Sequence, residues 1–239
     1  MDEYQQTTIS TYPPNTSMNK YSRIRLYLER SKTFTSRITS LLKRMKLDKG
    51  YSKELADFEK GLLQAGVEGE DVYDQIMDFS SSLADEYMLL TDGMYSAVLT
   101  SLYHLWEHDI KDLCKHKLLY SPVSAEGNKL VTEQEIQNYK YHKLESLLSF
   151  WGARESIFHE VNVLRLVVNT IKHGSGPSAI ELLGNNRKYY CKLAMFCDLE
   201  ISDSDIDYDE LEVLGIDDIE YFGAVLSTFW VELGEDISI

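Results

Sequence analysis

Cysteine is scarce in this chain, with only Cys114, Cys191 and Cys197. Their odd number and wide spacing exclude a disulfide framework or a paired-cysteine metal knuckle, and point to buried thiols in a reducing, cytoplasmic setting. Proline occurs only at 13, 14, 122 and 177, and glycine 13 times in 239 residues, too little turn chemistry for a β-sandwich or barrel. No run of 18 apolar residues suggests a membrane span, and the polar N-terminus has no secretory h-region. Cations are absent after residue 198: residues 199–239 carry 13 acidic and no basic side chains. Overall, 39 acidic and 24 basic residues leave a formal charge of −15, a poor general match to nucleic acid. Residues 1–60 run the other way, with 12 Lys and Arg against 7 Asp and Glu, a difference of +5.

Long stretches free of helix breakers favour an all-α bundle of about six to eight helices. Residues 1–18 are polar and read as a disordered tail, 19–66 as a basic helical segment, and 67–239 as the main bundle with an acidic end. The first helix spans about 19–47 with Gly50 as its stop, and a second spans 52–64. A third runs from about 68 to a break at Gly93, and a fourth follows from Met94 to His116. In the fourth, Val98, Leu99, Leu102, Leu105, Trp106, Ile110 and Leu113 form an apolar stripe. A loop covers 119–130. Thr132 and Glu135 have capping-box spacing for a helix reaching Trp151. The sixth helix spans Ala153 to His173 and stops at Gly174-Ser175-Gly176-Pro177, a helix end rather than a phosphate loop. Residues 187–197 fit a short strand or a helix, 202–212 an acidic loop, and 217–233 a closing helix.

The sixth helix is the most informative segment. At 100° per residue and with Arg165 as origin, Asn169 lies at about +40°, His173 at about +80°, Asn162 at about +60°, and Lys172 and Arg154 at about −20°. Ile157, Val161, Val163, Leu164, Val167, Val168 and Ile171 fill the other side. No carboxylate stands between Asn162 and His173, so in an acidic chain this face has anion-binding character. Such a face is otherwise a solvated helix surface.

Asn169-Thr170-Ile171-Lys172-His173-Gly174 resembles the end of the signature helix of HEPN domains, helical bundles many of which are metal-independent ribonucleases of toxin–antitoxin and phage-defence systems. Their motif is Arg, a polar residue, then His four to six residues on. Asn169 and His173 match; Val168 stands where the family has Arg, and Arg165, one turn earlier, is the substitute candidate. Arg154 and His159 satisfy the spacing literally but diverge by about 140° around a helix. Leu102-Tyr103-His104-Leu105-Trp106-Glu107-His108 resembles the earlier HEPN helix that faces the motif.

The resemblance implies RNA as substrate, no cofactor, and a homodimer. His173 would be acid or base, Arg165 and Lys172 would hold the phosphate, and Asn169 would orient it, with Arg154 and Asn162 beside them. Loss of the family arginine leaves open a catalytically inactive module, or an acidic inhibitor that binds a protein partner through 199–239. A third reading starts from His104-x-x-Glu107-His108, the inverted zinc-protease pattern, with Glu181 as a distant third ligand. Cys114 is flanked by Lys115 and His116, which a helix turns away from it, so a catalytic thiol is not expected. Tyr189 and Tyr190 are candidates for stacking on bases.

Overall fold

The computed structural model describes residues 20–45, 47–65, 70–120, 132–194, 196–197, 199 and 213–236. The expected N-terminal tail and most of the loops at 119–130 and 202–212 lie outside them. Among the described residues the chain is all-α, without a strand. The helices are α1 (Lys20–Met45), α2 (Leu47–Gln64), α3 (Glu70–Tyr120), α4 (Glu133–Gln137), α5 (Tyr141–Phe150), α6 (His159–His173), α7 (Pro177–Asn185), α8 (Arg187–Ala194) and α9 (Ile216–Asp236). A 3-10 turn, Glu155–Phe158, precedes α6.

Several expected boundaries are corrected. Gly93 does not break a helix: α3 runs through it for 51 residues. Gly50 lies inside α2, where a Cβ would press on the Tyr87 hydroxyl at 2.7 Å. A glycine costs a helix only about 1 kcal/mol relative to alanine, which packing readily offsets. The capping box is present, with Thr132 Oγ1 accepting from the Glu135 amide and the Glu135 carboxylate from the Thr132 amide. Its helix nevertheless ends at Gln137, and α5 starts afresh. Residues 187–194 are helix, not strand. Gly174, at φ +63°, ends α6 as expected, and Pro177 opens α7.

α6 is the central helix, with Val161, Val163, Leu164, Leu166, Val167 and Val168 all buried. An aromatic cluster of Trp106, Phe158, Phe229 and Trp230 ties α3, the 3-10 turn and α9 together. α1 lies antiparallel on α9: Tyr27 meets Trp230 at 5.0 Å, Lys43 Nζ meets Glu220 Oε1 at 2.6 Å, and a Cβ at Gly223 would collide with Thr35. α1 also crosses the C-terminal half of α3, where Arg30 holds the buried Asp109 at 2.6 Å. The basic segment 19–66 therefore divides. α1 is part of the core, whereas among the described residues α2 packs only on α3, at Phe79 and Tyr87 of its first half, forming a two-helix arm.

The arm is held by Phe58 stacked on Phe79 at 3.9 Å and by Tyr51 edge-on to Tyr87. Among Val72, Ile76, Phe79, Leu83, Met88 and Leu89 on this half of α3, Leu83 alone is buried, and Met88 and Leu89 are exposed.

Candidate functional site

α3 and α6 bring together two segments that stand 68 residues apart in sequence. Lys172 Nζ lies 2.6 Å from His104 Nε2. The ammonium can only donate, so Nε2 accepts and the imidazole is neutral with its proton on Nδ1. That Nδ1 faces Glu107 Oε2 at 3.3 Å, one turn along α3. Lys111 Nζ binds the other oxygen of Glu107 at 2.9 Å. The result is a chain of four groups, Lys172–His104–Glu107–Lys111, across the helix junction.

Burial works against the Glu107 charge, but the hydrogen bonds from Lys111 and His104 and the charge of Lys111 outweigh it and hold the carboxyl below the usual glutamate range. Protonation is therefore resisted more in the folded than in the unfolded chain. The stabilisation is present at neutral pH and is lost as pH falls below the ordinary glutamate value of about 4.3. Lys111→Met leaves desolvation less opposed, and we expect the acid-unfolding midpoint followed by circular dichroism to move to higher pH. An unchanged midpoint would show that Lys111 does not support this carboxylate.

The last turn of α6 presents Lys172 and His173, both exposed, with Asn169 half-buried one turn before. A helix C-terminus favours cations, and the Lys172 ammonium stands in that last turn.

Arg165 does not stand on an open cationic face. It is 9% exposed. Its Nε donates to Asn162 Oδ1 at 2.8 Å, its Nη2 reaches both oxygens of Glu181 at 3.1 and 3.2 Å, and its guanidinium lies 5.2 Å from the Tyr141 ring centroid. α7 folds back over α6 and supplies the carboxylate, a tertiary event that the helical wheel does not contain. Position 168 points wholly into the core, so an arginine there would have no route to a surface site. Tyr103 and Tyr141, buried beside this group, have their hydroxyls shifted strongly upward by burial. Tyr141 donates to the Phe158 carbonyl at 2.8 Å.

Arg154 leaves the face altogether. It has extended backbone ahead of the 3-10 turn and binds Asp236 at 2.7 Å, with Glu232 at 3.8 Å. The literal pair Arg154 and His159 is thus divided between α9 and an exposed imidazole facing Glu160. Asn162, besides holding Arg165, borders an open cleft of about 680 Å³ with Tyr141, His142, Glu145 and His159.

The inverted zinc pattern is also dispersed. His104 engages Lys172, His108 turns to Asp109 at 3.3 Å, and Glu181 is taken by Arg165. Among the described residues no group of three or more His, Cys, Asp and Glu converges as a metal site. Tyr189 and Tyr190 are buried, Tyr189 packing on Phe222, so neither offers a face to a base. The Cys114 thiol is fully buried and pushed up to about 12, as an inert core thiol. Four acids of α9 pair within the chain: Asp218 with Lys192, Glu220 with Lys43, and Glu232 and Asp236 with Arg154.

Sequence reasoning named Lys172, His104 and Glu107 but missed Lys111, Tyr103 and Tyr141. The Glu107–Lys111 spacing of four residues was a local signal for the first of these. Among the described residues no helix is long and apolar enough to cross a membrane. No protein-family model, curated protein or solved structure matches the chain.

Proposed function

We propose that the α3–α6 junction is a metal-independent RNA-cleaving site of the HEPN type, in a toxin–antitoxin or phage-defence setting. The observation that supports this reading is the Lys172–His104–Glu107 chain, at 2.6 and 3.3 Å, joining the two segments that carry the resemblance. Glu107 fixes the His104 tautomer, leaving Nε2 as the basic nitrogen. Lys172, exposed, swings from Nε2 to a phosphoryl oxygen when substrate enters. His104 then takes the 2′-hydroxyl proton, the O2′–P bond forms, the P–O5′ bond breaks, and His173 protonates O5′. Lys172 and the Asn169 amide stabilise the extra charge on the phosphoryl oxygens. Arg165 has a positioning role in this scheme, because Glu181 neutralises it.

That same Arg165–Glu181 pair favours a second reading, an inactive interaction module that binds a protein partner. The two separate in one experiment. The purified chain is incubated with 5′-labelled single-stranded RNA in excess EDTA, and the ends are analysed. The nuclease reading expects cleavage with 2′,3′-cyclic phosphate and 5′-hydroxyl termini. Intact RNA at all enzyme concentrations overturns it and leaves the interaction module.

A further inference from the structure

We infer that the open cleft beside Asn162 binds guanine and seats a guanosine of the RNA strand next to the α3–α6 junction; the first part stands on the cleft alone, and the second rests on the RNA-cleaving reading. Three elements wall the cleft. α5 gives Tyr141, His142 and Glu145, the 3-10 turn gives Glu155, and the start of α6 gives His159 and Asn162. Its volume of about 680 Å³ is that of a small-molecule site. The buried Tyr141 and Phe158 supply an apolar base. The imidazoles of His142 and His159, 71 and 70% exposed, offer flat faces on which a nucleobase can stack. Among the described residues no lysine or arginine lines the cleft, whereas two carboxylates do. A phosphate is therefore repelled, and the cleft suits a base whose backbone stays outside.

The hydrogen-bonding groups select which base. Arg165 Nε donates to Asn162 Oδ1 at 2.8 Å, which orients the amide and leaves Nδ2 as a donor. Glu145 Oε2 meets His142 Nδ1 at 3.5 Å, leaving Oε1 as an acceptor. No hydrogen bond or ion pair among the described residues engages the Glu155 carboxylate. The cleft thus offers carboxylate acceptors and one amide donor. Guanine alone among the RNA bases presents the complement on its pairing edge, with the donors N1–H and N2–H₂ beside the acceptor O6. Adenine sets one donor against one acceptor, and cytosine and uracil set one donor against two acceptors.

The cleft is also in line with the junction. Asn162 stands two turns before Asn169 on the same face of α6, about 10 Å away along the axis. A base held at Asn162 and a phosphate held at Asn169 and Lys172 therefore belong to one short stretch of strand. Arg165, neutralised by Glu181 between them, acts by orienting the Asn162 amide.

Fluorescence anisotropy of the full chain with labelled 2′-O-methyl decamers tests this. Each is oligouridine with guanine, hypoxanthine, adenine or uracil at one central position. The methyl group removes the attacking hydroxyl, so binding is read whether or not the chain cleaves RNA. The guanine strand is expected to bind about tenfold tighter than the adenine and uracil strands, with hypoxanthine, which lacks the N2 amine, between them. The double variant Glu145→Gln, Glu155→Gln should lose this preference at an unchanged melting temperature, because both side chains reach solvent. Equal affinities, no binding of any strand, or a preference that survives the double variant overturns the proposal. The same strands with unmodified ribose separate it from the nuclease reading. Guanine-selective binding without cleavage upholds the cleft and overturns the nuclease. Cleavage that ignores the guanine overturns the cleft and leaves the nuclease standing.

Discussion

Replacing Lys192 by methionine will destabilise the chain by about 3–5 kcal/mol, the cost of stranding a buried charge without its partner. For a chain of this size that lowers the melting temperature by about 6–20 °C. Lys192 on α8 donates to both oxygens of Asp218 on α9, at 2.9 and 3.0 Å, with side chains 7 and 6% exposed. Asp218 Oδ2 also accepts the Gly215 amide at 2.8 Å, closing the first turn of α9. Loss of the ammonium therefore leaves a carboxylate that is out of water and still tied to a helix N-terminus. A second substitution, Asp218→Leu in the same chain, removes the stranded charge and should recover part of the loss. Lys43→Ala is the control. Its bond to Glu220 is shorter, at 2.6 Å, but both side chains are about half exposed, so the melting temperature should hardly move. Equal effects at Lys192 and Lys43 would show that burial does not govern these pairs.

This contrast explains which features could be read ahead of the structure. The stripe from Val98 to Leu113 was legible because helical periodicity is a local property, and its Leu99, Leu102, Trp106 and Ile110 are indeed core. The capping box at Thr132 was legible for the same reason, though not the length of its helix. Gly50 and Gly93 misled because a glycine's local penalty is small beside that of the packing around it. Arg165 shows the limit most clearly. Its angle on α6 was right, but the angle does not say that Glu181, sixteen residues on, folds back to cover it. Lys192 and Asp218 are separated by 26 residues and Lys172 and His104 by 68. Neither pairing leaves a trace in local spacing.

The His104 contact leads to the second large effect. If His104 takes the 2′-hydroxyl proton, His104→Ala should lower the cleavage rate by about 10²–10⁴, the usual worth of a general base, with RNA affinity little changed. His173→Ala should lose a similar factor through the leaving oxygen. The two losses should be far from additive, because both groups act in one displacement. Exogenous imidazole diffusing into the space left by His104→Ala should restore part of the rate. It should do nothing for Lys172→Ala, where the missing group is a fixed cation rather than a base. Glu107→Gln keeps the shape of the junction but removes the carboxylate that faces Nδ1 at 3.3 Å. It should therefore act through kcat rather than KM, and by less than His104→Ala, as expected of a residue that only orients the imidazole. Should His104→Ala cleave at the wild-type rate while His173→Ala is dead, the base lies elsewhere and the Lys172–His104 contact is structural.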